Sequence, residues 1–224
     1  MIDPLRRLYA GRVSVGDRLG ETFYAVWMAV VSIGLLNSSG HITEESIRYA
    51  VGVAFSVNIA WGLIDGITVM FTNIIDRANG DRLLYALRSG KDPDAARRAR
   101  DELDDSIAAS LPDAEKDRIV RAIATLPAGA DPAARGYWPD RNDLLYAFGI
   151  FLIDVGLVIP VVAPLLIIHD AETAVYASRL IATAIFAAVG WAYARHLNGN
   201  PAVVALLLGL LGFAVFTHAF EAGW

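Results

Sequence analysis

Residues 144–168 read LLYAFGIFLIDVGLVIPVVAPLLII, an apolar run interrupted only by Asp154 and two prolines. A helix needs about 20 mostly apolar residues to cross a hydrocarbon core of about 30 Å. The run is long enough for that crossing, and it carries one ionisable group near its middle. It therefore predicts a transmembrane helix rather than the core helix of a soluble enzyme.

Four further apolar stretches lie outside this run, two before it and two after it. They cover residues 22–36, 49–75, 179–195 and 201–220. The first stretch is short unless it takes in residues 19–21 and 37–39. Together the five stretches predict an all-α membrane protein with five transmembrane helices.

The charged residues are concentrated between the second and third stretches. Residues 76–143 hold 12 of the 19 Lys and Arg and 14 of the 24 Asp and Glu. This distribution predicts a cytoplasmic helical insert, and it divides the chain into residues 1–75, 76–140 and 141–224. Within the insert we expect an extension of the second span to about Arg88, helices over about 93–109 and 112–126, and a linker over 127–139.

Two sequence signals mark the expected helix starts in the insert. Asp92 precedes Pro93, a pairing typical of an N-cap followed by proline at the first helical position. Ser110 and Asp113 have the spacing of a capping box.

The positions of the basic residues predict the orientation, because cytoplasmic flanks of membrane helices are enriched in Lys and Arg. Four arginines precede the first span, 12 basic residues lie in the insert, and Arg195 lies between the last two spans. Only Arg48 and Arg179 lie in segments that this orientation places on the opposite side of the membrane. We expect a cytoplasmic N-terminus with no cleaved signal peptide and a C-terminus on the opposite side.

Composition excludes several classes of function. The formal net charge of −5 argues against a nucleic-acid partner, since such proteins normally present a basic face. The chain has no cysteine, which removes thiol nucleophiles and Cys-ligated metals. An enzyme acting on lipid or isoprenoid is a weaker alternative, because no motif rich in His or Asp has suitable spacing. We expect no enzymatic activity and no permanently bound cofactor.

Three acids within or at the edge of the spans are the strongest functional candidates: Glu21, Asp65 and Asp154. An ionisable group at the bilayer centre costs at least about 2.5–3.5 kcal/mol and is a functional candidate by default. Asn58 lies seven residues before Asp65 and therefore on the same helical stripe. The alternative for Asp65 and Asp154 is a structural hydrogen bond or a carboxyl group kept protonated. For Glu21 it is an acid stabilised by a helix N-terminus.

Glycine and proline residues lie close to two of these acids. Gly62 and Gly66 flank Asp65 and allow the backbone of a neighbouring helix to approach closely. Pro160, six residues after Asp154, predicts a break or kink whose freed carbonyl oxygens can join a cation site.

Other candidate metal ligands are Met70 in the second span and Asp101, Glu102 and Asp105 in the insert. A thioether binds soft or borderline metals, although a membrane methionine usually only packs. The insert carboxylates can face a divalent cation from one side of a helix. Alternatively, they form a solvated face paired with Arg97, Arg98 and Arg100.

Sequence motifs in the last three spans resemble those of the vacuolar iron transporter family. Residues 156–167, GLVIPVVAPLLI, are similar to the family's Gly-x-x-Ile-Pro followed by a second proline. Residues 190–220, GWAYARHLNGNPAVVALLLGLLGFAVFTHAF, resemble its closing hairpin, and Asp65 stands where the family has an acidic ligand. The first span differs, since the family's Asn-Asp-Gly is replaced by RLGETFYAVW, in which Glu21 is the only acid.

The resemblance implies a homodimer with the ion path at the interface of the two first spans. It implies export of Fe²⁺ or Mn²⁺ from the cytosol in exchange for protons, with the metal as substrate. Glu21, Asp65, Met70, Asp154 and Asn58 then line the path. The alternative is a non-transporting sensor or assembly protein on the same scaffold, whose insert carries the function.

Overall fold

The computed structural model describes residues 15–38 and 43–222, with side chains over 15–34 and 43–222. This part of the chain is helical and contains no strand. The α-helices are α1 (Val15–Ser38), α2 (Glu44–Ser89), α3 (Ala95–Asp104), α4 (Asp113–Ala124), α5 (Arg141–Ile167), α6 (Ala171–His196) and α7 (Pro201–Ala222). Short 3₁₀ helices cover Ile107–Ser110 and Pro132–Ala134.

Four of the helices in the described ranges are long and apolar enough to cross a membrane: α2, α5, α6 and α7. Helix α1 has sufficient length but is not among them. Its first two turns carry Asp17, Arg18 and Glu21, which shorten its apolar part. The structure therefore has the features of a multi-pass membrane protein, and a fifth crossing by α1 remains a prediction.

The chain divides into two compact units. The first is formed within residues 1–69 and 144–224, and the second comprises residues 70–143. Helix α2 contributes its first part to one unit and its second part to the other. The second unit holds most of the segment that the sequence predicts as an insert.

The core of the first unit is a cluster of side chains from five helices, most of them small or β-branched. Val26 of α1, Ala54 of α2 and Val158 of α5 are fully buried in it. On α1 and α5 the buried residue follows the acid, Glu21 or Asp154, whereas on α2 it precedes Asp65. Helix α2 therefore runs antiparallel to α1 and α5.

Helices α6 and α7 form a closely packed hairpin. A Cβ atom at Gly190 would lie 2.8 Å from the Val204 carbonyl oxygen, so glycine permits this backbone contact. Phe186 of α6 stacks edge-on against Phe216 of α7, with ring centroids 4.9 Å apart. Asn198 has a φ of 56° in the connecting turn, a conformation that asparagine tolerates better than most residues. The hairpin supports α1, because Phe23 contacts the Phe186 ring.

The second unit is held together by ion pairs around a small apolar cluster of Leu87, Ala95 and Val120. Lys116 of α4 donates to Asp104 at the end of α3, and its side chain is only 7% exposed. Arg100 of α3 pairs with Asp117 in α4. Both pairs join α3 to α4 beside the apolar cluster.

The helix boundaries in this unit correct two predictions. The expected helix over 93–109 is shorter, since α3 begins at Ala95 with Asp94 as its N-cap and ends at Asp104. The Ser106 side chain accepts a hydrogen bond from the Ala108 amide and starts a separate 3₁₀ helix. The capping box at Ser110 is also wrong, because Pro112 is the N-cap of α4 and makes no side-chain cap.

The start of α5 is fixed by reciprocal capping within the second unit. Asp140 Oδ1 accepts from the Asp143 amide at 2.9 Å, and the Asp140 amide donates to Asp143 Oδ2 at 2.8 Å. Arg77 of α2 donates through two nitrogens to the same Asp143 carboxylate, at 2.8 and 3.2 Å. This bidentate contact ties the two helices together where the segment 70–143 ends.

The Asp104–Lys116 pair makes the stability of the second unit dependent on pH. The hydrogen bond from Lys116 holds the pKa of Asp104 below its ordinary value. A lowered pKa stabilises the folded state above the ordinary Asp pKa of about 3.9, and this contribution is lost as the pH falls through the lowered value. Protection of α3 and α4 amides against hydrogen exchange, corrected for intrinsic rates, should therefore fall in acid. Asp104→Asn should reduce protection at neutral pH and weaken its pH dependence; an unchanged dependence in that variant would contradict the assignment.

Candidate metal site

Three carboxylates converge in the first unit, one from each of three helices. One oxygen each from Glu21 of α1, Asp65 of α2 and Asp154 of α5 lies within 4.8 Å of the other two. No other group of three or more Asp, Glu or His side chains meets this spacing within the described ranges. The structure thus brings together the three acids that the sequence singles out in the spans.

Asp154 is the most deeply buried of the three acids. Its side chain is fully buried, and neither carboxylate oxygen has a hydrogen-bond partner among residues 15–38 and 43–222. Oε2 of Glu21 is likewise buried without a partner in this part of the chain. Isolated carboxylates are costly in an apolar environment unless a proton or a cation neutralises them. Asp154 therefore has the features of a carboxyl group that a proton or a cation neutralises, rather than of a structural hydrogen-bond acceptor.

Asn58 places another buried oxygen on α2, the helix that carries Asp65. Its amide nitrogen donates to the Ala54 carbonyl at 2.8 Å, which turns the side chain and leaves Oδ1 without a partner among the described residues. Asn58 is fully buried. The stripe that the sequence predicts along α2 is therefore polar at Asn58 and at Asp65.

Gly62 and Gly66 explain how α2 comes close to α5. A Cβ atom at Gly62 would lie 3.0 Å from Asp154 Cβ and 3.2 Å from the Phe151 Cα. A Cβ atom at Gly66 would lie 2.8 Å from the Ala147 carbonyl oxygen. Any larger residue would push the helices apart. The two glycines therefore keep α2 and α5 close enough for Asp65 and Asp154 to share one site.

The spacing of the carboxylate oxygens suits a single cation. Oxygen ligands lie about 2.0–2.6 Å from hard divalent cations, so ligands on opposite sides of the ion are roughly 4.0–5.2 Å apart. Three ionised carboxylates at this spacing repel one another by roughly 3–4 kcal/mol per pair at an effective dielectric constant of about 20. The arrangement can therefore bind protons or one divalent cation in exchange for each other.

The remaining predicted ligands belong to the second unit. Asp101 and Glu102 border a cavity of about 420 Å³ in the second unit together with Arg82 and Arg98, and Asp105 is exposed at the end of α3. The two arginines favour a solvated ion-paired surface over a cation site. Half-buried Met70 is the first residue of the second unit.

Of the break or kink expected at Pro160, the break is absent, because α5 continues as one helix through Pro160 and Pro164. Both prolines still remove a backbone donor from the helix. Val158, Val161 and Val162, which lie next to Pro160 on α5, are buried in the apolar core of the first unit. The site is therefore formed by side chains projecting from continuous helices.

One contact of the site is not evident from the sequence. The Tyr146 hydroxyl of α5 donates to Asp17 Oδ2 of α1. Asp17 lies one helical turn before Glu21, and Tyr146 lies before Asp154 on its helix. An acid or a tyrosine near the start of a helix is common. The sequence does not show that these two residues meet, because their contact depends on the packing of α1 beside α5.

No protein-family model matches this chain, and a search of curated proteins finds no match either. The resemblance to vacuolar iron transporters therefore remains a prediction based on residues 156–167 and 190–220 and on Asp65.

Proposed function

We propose that the protein is a membrane transporter that exports a divalent metal, Mn²⁺ or Fe²⁺, from the cytosol in exchange for protons. The strongest support is that one carboxylate oxygen each of Glu21, Asp65 and Asp154 lies within 4.8 Å of the other two. Both oxygens of Asp154 are also buried and have no hydrogen-bond partner among the described residues. The ion is the substrate, and the same carboxylates hold either it or protons. Alternating occupancy by metal and protons would couple the two fluxes.

The donor set favours hard and borderline cations. Carboxylate oxygens suit Mg²⁺, Ca²⁺ and Mn²⁺, whereas copper and zinc prefer sites with nitrogen or sulfur ligands. Among the two metals that the resemblance implies, an all-oxygen group suits Mn²⁺ directly. Fe²⁺ would gain from an additional thioether ligand. We therefore propose Mn²⁺ as the first metal to be tested.

The proposal includes α1 as a fifth membrane crossing, with the N-terminus and residues 76–140 in the cytosol and the C-terminus on the opposite side. Glu21 must lie within the membrane region to share a site with Asp154, whose helix is long and apolar enough to cross. The proposal also includes a homodimer with α1 at its interface, as the resemblance implies. A partner copy would cover the side of α1 that the core of the first unit leaves open.

Uptake of Mn²⁺ into proteoliposomes tests this function. We expect Mn²⁺ to accumulate when the vesicle interior is acidic, because departing protons would drive metal inward, and a protonophore should slow the uptake. Asp154→Asn should abolish it, whereas Asp105→Asn in the exposed part of the second unit should not. Uptake that equals that of protein-free vesicles would contradict transport.

The compact second unit favours an alternative in which the protein is a sensor or assembly partner. Residues 70–143 have their own small apolar cluster with ion pairs around it, a feature that transport alone does not require. Saturable Mn²⁺ binding without uptake would favour this alternative. If the wild-type protein neither binds nor takes up Mn²⁺, Mn²⁺ is neither a substrate nor a sensed ligand.

A further inference from the structure

We propose that Trp61 is a positioning residue of the carboxylate site, and that its indole N–H donates a hydrogen bond to Asp65 when a divalent cation is bound. The inference rests on the proposed function and adds to the site a residue that is not itself a ligand. Its basis is the buried indole nitrogen, the place of Trp61 along α2 and the lack of other free donors around the acids.

The indole nitrogen of Trp61 is buried without a satisfactory hydrogen bond. The residue as a whole is half-buried, but Nε1 is shielded from solvent and has no partner of normal hydrogen-bond geometry in the part of the chain that the structure describes. An indole N–H can only donate, and a buried one usually finds an acceptor. This nitrogen therefore indicates an acceptor that comes into range in another state of the site.

Asp65 is placed to be that acceptor. Trp61 and Asp65 are four residues apart on α2, and side chains at this spacing lie next to each other on one helix face. Helical side chains lean toward the N-terminus, so the Asp65 carboxyl group leans back over the turn that carries Trp61. The indole is close enough to act as a donor toward this carboxylate, although the geometry of a normal hydrogen bond is not reached. A small movement of the carboxylate is enough to form the bond.

The surrounding side chains supply acceptors rather than donors. Glu21 Oε2, Asn58 Oδ1 and both Asp154 oxygens are buried without a partner among the described residues. The Asn58 amide nitrogen is already engaged by the Ala54 carbonyl. In the described parts of α1, α2 and α5 that belong to the first unit, Trp61 Nε1 is the one buried donor without a partner. Trp61 is therefore the residue that can donate to this group of acids.

A bound cation would complete the hydrogen bond from Trp61. The cation takes one oxygen of Asp65 and fixes the orientation of the carboxylate, which leaves the second oxygen to accept from the indole. A hydrogen bond to an ionised carboxylate is stronger than one between neutral groups. Donors of this kind orient metal ligands, and their loss typically costs about 10- to 100-fold in metal affinity. Trp61 thus acts on the cation through Asp65.

Titration of the purified full-length protein with Mn²⁺ measures the contribution of the N–H group. Trp61→Phe should weaken binding about 10- to 100-fold. Benzothienylalanine at position 61, in which sulfur replaces the N–H, keeps the size and shape of the ring and should cause a similar loss. The matched control is Trp191→Phe in α6, whose side chain is 46% exposed and which should bind as the wild type does. Wild-type affinity of the benzothienyl protein would contradict the proposal, because packing needs the ring but not the N–H.

Ultraviolet resonance Raman spectroscopy tests the hydrogen bond itself, because one indole band reports hydrogen bonding at the ring nitrogen. The difference between the wild-type and Trp61→Phe spectra isolates the signal of Trp61. Saturating Mn²⁺ should shift this band to the position of a hydrogen-bonded N–H, and Asn58→Ala should leave the shift in place. A band that does not respond to bound Mn²⁺, or a shift that is lost in Asn58→Ala, would overturn the assignment of Asp65 as the acceptor.

The outcomes separate this role from the proposed function. If the wild-type protein binds Mn²⁺ and removal of the N–H changes neither affinity nor spectrum, the positioning role alone is overturned. If the wild-type protein does not bind Mn²⁺, the proposed function is overturned, and the role of Trp61 with it.

Discussion

Replacing Asp65 by asparagine should remove saturable Mn²⁺ binding while leaving the helical fold intact. The variant deletes one of three carboxylates that share the site and lowers its negative charge, but asparagine keeps the size of the side chain. Mutating an outer-shell partner of a bound metal typically costs about 10- to 100-fold in affinity, and loss of a direct ligand should cost at least as much. Equilibrium dialysis against Mn²⁺ measures the change.

The matched control for this prediction is Asp101→Asn in α3. Asp101 is exposed in the second unit and borders a cavity shared with arginines. The control variant should bind Mn²⁺ with wild-type affinity if the site lies between α1, α2 and α5. Equal losses in the two variants would indicate a non-specific effect of charge, and an unaffected Asp65→Asn would contradict the assignment of Asp65.

Replacing Gly62 by alanine should both destabilise the protein and weaken Mn²⁺ binding. The new methyl group would meet the Asp154 Cβ at 3.0 Å and the Phe151 Cα at 3.2 Å, and the latter is backbone that cannot rotate away. Overpacking of this kind typically costs about 1–3 kcal/mol. Separation of α2 from α5 would also move Asp65 away from Asp154, so affinity should fall about tenfold or more, which corresponds to about 1.4 kcal/mol.

Gly156→Ala is the matched control on α5, two residues after Asp154. A Cβ atom there would meet no atom within 4 Å. Alanine in a helix interior is favoured over glycine by about 0.5–1 kcal/mol, so this variant should be slightly more stable than the wild type. Thermal unfolding in detergent and Mn²⁺ titration of both variants check the pair. Similar effects at Gly62 and Gly156 would mean that close approach of α2 to α5 does not hold the site together.

The helices were predictable from hydropathy where the chain is strongly apolar. Residues 144–168 and 201–220 predict α5 and α7 closely, because long apolar runs have few alternatives. The helices of the second unit were less predictable. Ser106 starts a 3₁₀ helix by capping it, and this local hydrogen bond ends a helix that the sequence predicts to continue to residue 109.

The acids of the site were predictable one by one, but not their convergence. Glu21, Asp65 and Asp154 stand out because charged residues are rare in apolar helices. Their meeting depends on which helix faces are packed together, and that depends on Gly62 and Gly66 opposite Asp154 and Ala147. A glycine pair in the sequence predicts close approach without identifying the neighbouring helix. The pairing of Asp17 with Tyr146 follows from the same packing and has no signal in the sequence.

The most direct test of the carboxylate site is anomalous diffraction from crystals of the full-length protein grown with Mn²⁺. We expect one strong manganese peak between the carboxylates of Glu21, Asp65 and Asp154, which would establish these three acids as the metal site. Manganese peaks only elsewhere, such as beside Asp101 and Glu102, or no peak between α1, α2 and α5 at saturating Mn²⁺, would contradict it.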